Sequence, residues 1–144
     1  MITINERINE ELDSLSKKKM LHADDVYNYA KNNPESALHG RFEWDKDKAA
    51  LEYNLDIARD IIQEYKWHYT TQENEIVETR QWVSLPDDRQ EGGGYRNIQD
   101  VLNSKEMRKK LLEDAKQSFA MWKTRFIVLE KELKPVFDAM DRVK

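Results

Sequence analysis

The stretch that most limits what this chain can become is its last third, Ser104 to Lys144. From Leu112 onward, apolar residues recur in alternating steps of three and four: Leu112, Ala115, Phe119, Trp122, Phe126, Leu129, Leu133, Val136, Met140 and Val143. That spacing places them on one side of an α-helix. A seam this long has to be covered, by another segment of the same chain or by a second copy. Phe119, Trp122 and Phe126 are bulky for a narrow two-stranded coiled coil, and Leu111, Met121, Ile127 and Phe137 widen the stripe, which points to a bundle. Proline costs about 3 kcal/mol in a helix interior. The helix is therefore expected over 105–134, with a break near Pro135 and a last short helix beyond it.

The segments upstream supply candidate partners. Thr3 followed by Glu6 is a capping box. Behind it Ile4, Ile8, Leu12 and Leu15 form a narrow stripe, so residues 1–16 are expected to make a helix that packs on 105–144. Lys17, Lys18 and Lys19 would sit at its C-terminal end, where the helix dipole favours positive charge. Asp24 to Lys31 reads as a second helix with Val26, Tyr27 and Ala30 for packing, stopped by Asn32, Asn33 and Pro34. Asp45 is the expected N-cap of a third helix, whose entry Phe42 and Trp44 fix. Ala50, Tyr53, Ile57 and Ile61 make one stripe on that helix; Leu51, Leu55, Ala58, Ile62 and Tyr65 make another beside it. A helix apolar over so much of its circumference is expected to be central.

The period then changes to two. Trp67, Tyr69 and Thr71 alternate, as do Val77, Thr79, Val83 and Leu85, with a polar turn between them. This predicts a β-hairpin at about 66–85. A lone hairpin is marginal in water, so it should pack on the helices or pair across a dimer. Ile98, Val101 and Leu102 suggest a short helix before Ser104 caps the long one. The fold class is mainly α with one β-hairpin (α+β), in a single domain over 1–144.

Composition excludes several chemistries. The chain has 144 residues and no cysteine, so disulfides, thiolate metal sites and thiol nucleophiles are out. Its charged start and the lack of any long apolar run argue against a signal peptide or a membrane span, and a soluble, cytoplasmic protein is expected. His22, His39 and His68 lie far apart, and neither a phosphate-binding loop nor a nucleophile elbow is present. Glu43, Asp45 and Asp47 have a spacing that would suit a cation, but it is also that of a capped helix start, which is the reading taken. Neither an enzyme nor a metal or other cofactor is expected.

Two blocks carry a resemblance. The first comprises Leu38, His39, Phe42, Glu43, Trp44, Asp45, Ala49, Tyr53, Ala58, Arg59, Ile61 and Ile62; the second is Gly92, Gly93, Gly94, Tyr95 and Arg96. Together they resemble a group of uncharacterised small proteins encoded by phages and prophages. The likeness covers most of the chain after residue 20, with the Ile4–Leu15 helix as an addition. Asn54 departs from the arginine the group places after the tyrosine; if that arginine binds an anion in relatives, the contact is lost here. The resemblance implies a phage or prophage setting, hence a host cytoplasm, and a helical C-terminus. It implies no activity.

Two function classes follow. In the first, the chain is a dimeric nucleic-acid-binding or regulatory protein: short helices followed by a hairpin have the order of a winged helix, and the seam would supply two-fold symmetry. The candidate contacts are Lys46, Lys48, Arg80 and Arg96. Gly92, Gly93 and Gly94 would let backbone amides approach a phosphate, with Tyr95 as a stacking face. The same glycines would equally serve a tight return from strand to helix. In the second class the chain is a protein-binding module that inhibits or recruits a host factor, including a host defence complex. Ser104 to Lys144 carries 11 Lys and Arg against 7 Asp and Glu, which leaves −8 on the residues before it, a balance suited to a basic partner. Both classes include self-association through Leu112, Phe119, Trp122, Phe126, Leu129 and Leu133.

Overall fold

A computed structural model describes residues 1–16, 20–90 and 93–144, and divides the chain into two units, Met1–Ile57 and Ala58–Lys144. The lysine run at 17–19 and Gly92 lie outside the described residues. The architecture is mainly helical with a small antiparallel hairpin, as the two periodicities predict.

In the first unit, α1 (Ile4–Leu15) opens with the capping box: the Glu6 amide donates to Thr3 Oγ1 at 3.2 Å, and the Thr3 amide donates to the Glu6 carboxylate at 2.6 Å. That pairing holds the Glu6 carboxyl below the ordinary carboxylate range. Within this unit α1 packs on α2 (Ala23–Asn32). Its Glu11 reaches the turn beyond α2, accepting from the amides of Ala37 at 3.0 Å and Leu38 at 3.2 Å. Ala30 and Leu38 are buried. Around them His39, Phe42 and Trp44 of the first block close on one another and on Tyr27 of α2. His39 stacks on Trp44 with ring centroids 4.6 Å apart; Tyr27 stacks on Trp44 and meets Phe42 edge-on. Trp44 Nε1 donates to the His39 carbonyl, and His39 Nδ1 lies 2.7 Å from the Ala30 carbonyl. Asp45 then caps α3 (Lys46–Glu64), accepting from the Asp47 and Lys48 amides.

Helix α3 differs from its expected central role. None of its residues is buried, and Leu51, Tyr53 and Ile61 are largely exposed.

In the second unit, β1 (Lys66–Thr70) pairs with β2 (Ile76–Arg80) around a turn that puts Asn74 in the left-handed region. Asparagine tolerates that conformation better than most residues. The hairpin ends earlier than its alternation predicts. Gln81 bends the chain, with its amide on the Tyr65 carbonyl and its side chain on Asn97 Oδ1, and Trp82–Val83 (β3) pair instead with Arg96–Asn97 (β4). Leu85 consequently leaves the strand and is buried with Ile98 and Val101 of α4 (Ile98–Asn103).

Ser104 caps α5 (Lys105–Arg125) through the Met107 amide. The break expected near Pro135 falls earlier, at Phe126–Leu129, and Pro135 lies inside α6 (Glu130–Asp141). Two local causes favour the earlier site. Ile127 and Val128 are β-branched neighbours with poor helix propensity, and Thr124 Oγ1 donates back to the Ala120 carbonyl at 3.0 Å, a contact that bends helices. The turn lets α6 fold back so that Phe137 is buried edge-on against Trp122, with the Lys123 ammonium over its ring.

Candidate functional site

The loop from Ser84 to Arg96 is fixed by charge pairs, and these decide which candidate cations remain available. Arg96 makes a two-pronged contact with Asp88, Nε to Oδ2 at 2.8 Å and Nη2 to Oδ1 at 2.9 Å. Asp88 Oδ2 also accepts from the Leu85 amide. The Arg96 hydrogen bonds hold the Asp88 carboxyl below its usual range, against the opposing effect of burial. Arg89 grips Asp114 of α5 with both terminal nitrogens, at 3.1 and 2.8 Å, and donates to the Ser84 carbonyl. Lys110 reaches Asp87 at 2.9 Å, which raises its own pKa. The face of α5 that carries Lys110 and Asp114 is therefore tied to the loop. The heptad seam lies on a neighbouring face.

A phosphate approaching Arg96 would first have to displace Asp88. Arg80 has no ionic partner among the described residues. It lines a cavity of about 340 Å³ together with Trp82, Tyr95, Gln63, Arg89 and Asp114. The structure thus brings Arg80 and Tyr95 together. Gly93, at φ +59°, makes the left-handed turn that leads into Gly94 and Tyr95. Lys46 and Lys48 stand exposed in the first turn of α3, in the other unit.

The seam, like the stripes of α3, stays open to water. Leu112 is 43% exposed, Phe119 50%, Trp122 37% and Leu129 44%, and Phe126 and Leu133 are only half-buried. Beside it runs an apolar groove of about 540 Å³, floored by Leu102, Leu111, Leu112 and Ala115 and rimmed by Lys105, Arg108 and Lys109. None of these three cations has an ionic partner among the described residues. Sequence reasoning missed this rim, although its signal was present in the spacing of 105, 108, 109 and 116, which aligns basic residues along one side of a helix. It also missed Glu11, whose amide partners are remote in sequence.

Among the described residues no cluster of His, Asp and Glu is arranged to hold a metal ion, and no helix is long and apolar enough to cross a membrane. Comparison with family models, with curated proteins and with solved structures finds no match to this chain.

Proposed function

We propose that the chain is a non-enzymatic phage or prophage accessory protein that works by protein association, self-association included, through the apolar faces of α5 and α6. One observation carries this reading: large apolar side chains at 112, 119, 122 and 129 stand open to water along those helices. Apolar patches of this kind mark interaction surfaces. Several charged groups that would otherwise serve nucleic acid are spent on the protein's own loop.

Nucleic-acid binding is the second reading, favoured by the cavity that joins Arg80 to the rings of Trp82 and Tyr95, where a phosphate and a base would find charge and a stacking face. Light scattering on a size-exclusion column, with and without duplex and single-stranded DNA at low ionic strength, separates the two. Association predicts a mass above the monomer that DNA leaves unchanged. A monomer that shifts with DNA in a salt-dependent way would replace the first reading with the second.

A further inference from the structure

The geometry points to a second copy of this chain as the occupant of the α5 groove, with α6 of each copy laid along the N-terminal half of α5 of the other. This rests on the association reading and names its interface.

The first argument is length. At 1.5 Å per residue α5 is about 31 Å long and α6 about 18 Å. Within one chain α6 sits on the last turns of α5, where Phe137 meets Trp122 and Lys123 bridges Asp141. Phe119, one turn before Trp122, is already 50% exposed. The stretch from Lys105 to Phe119, about 22 Å by the same rise, stays open and is long enough for one more α6.

Charge supplies the second argument. The open half of α5 carries Lys105, Arg108, Lys109 and Lys116 around Leu112 and Phe119, and none of these cations has an ionic partner among the described residues. Leu129, just before α6, and Leu133, Val136 and Met140 on it share a face, at whose edge Phe137 packs on α5. Glu130 and Glu132 flank that face on its two sides, likewise without an ionic partner among the described residues. An apolar strip edged in acid therefore matches an apolar groove rimmed in base. Two α5 grooves laid on each other would set lysine against lysine. Pairing α6 on α5 reciprocally gives a closed two-fold arrangement of four helices.

Charge reversal by pairs tests the arrangement. One variant carries Lys105→Glu with Lys109→Glu, the other Glu130→Lys with Glu132→Lys. Circular dichroism first checks that each keeps the helix content of the native chain. Sedimentation then reads mass. The native chain should sediment as a dimer, and each variant alone should dimerise at least about tenfold more weakly, because like charges face each other twice. An equimolar mixture should recover dimers containing one of each. The chain lacks cysteine, so a second readout is clean: Leu112→Cys and Val136→Cys chains, mixed and mildly oxidised, should form the mixed disulfide. A native dimer indifferent to both reversals, with no mixed disulfide, would overturn this interface and leave association standing. A native chain that stays monomeric at every concentration would overturn both.

Discussion

The aromatic cluster of the first unit and the heptad seam of the second treat their apolar residues in opposite ways. In the first, the aromatic residues around the first block are spent internally: Trp44, His39, Tyr27 and Phe42 pack on one another, and Trp44 Nε1 and His39 Nδ1 are taken up by backbone carbonyls. In the second, a seam that looked like core stays in contact with water over much of α5 and α6. Distinctive residues thus build the scaffold of the first unit, and much of the heptad repeat is left open. A motif whose hydrogen bonds close within it is structural. One whose surface stays open is a candidate site.

Several substitutions would break or sharpen that contrast. Trp44→Ala should have the largest effect, removing the ring on which three others pack. A loss of about 2–4 kcal/mol in denaturant unfolding is expected, near the lower end for aromatic truncation because Trp44 is half-buried. Phe119→Ala, an aromatic truncation on the open seam, should leave the unfolding of the monomer within about 0.5 kcal/mol while weakening association. Equal losses at the two positions would erase the distinction between the regions.

Glu11→Ala should cost about 1–2 kcal/mol, since it leaves the half-buried amides of Ala37 and Leu38 without their acceptor. Proteolysis near residue 37 would report the same loosening. Asp45→Ala removes the cap of α3 and should cost about 1 kcal/mol, read as lost helicity at the start of that helix by amide exchange.

The smallest effect belongs to Asp88, and it depends on pH. Its carboxyl titrates below the ordinary carboxylate value in the folded chain. Its contribution is therefore complete above that ordinary value and is lost as pH falls through the lowered one. Asp88→Asn should flatten this part of the acid limb of the stability profile and leave the native chain and the variant alike once both are in strong acid. An unchanged acid limb would mean that the Arg96 pair contributes nothing.

Much of the fold could be read from local patterns, because its determinants are local. Thr3 and Glu6, Asp45 and Ser104 each cap a helix through amides two or three residues away, and such signals survive without knowledge of tertiary contacts. The misreadings share a different cause. Val83 and Leu85 keep the strand period, yet the bend at Gln81 is set by a bond to Asn97, far along the chain. Pro135 carried the stronger local warning, but the helix breaks at Phe126–Leu129, where Phe137 can return to Trp122. The stripes on α3 predict burial; the structure leaves them exposed. The candidate site was legible in part for the same reason. Arg80 and Tyr95 were identifiable by type, whereas the capture of Arg96 by Asp88 depends on how the loop folds over α5.

Thermal unfolding followed as a function of protein concentration tests the central claim most directly. If the open faces of α5 and α6 are covered by association, the midpoint rises steadily with concentration in the native chain, because assembly stabilises only the folded form. The rise disappears in Phe119→Asp. A midpoint identical at every concentration, in both the native chain and the variant, would contradict the account.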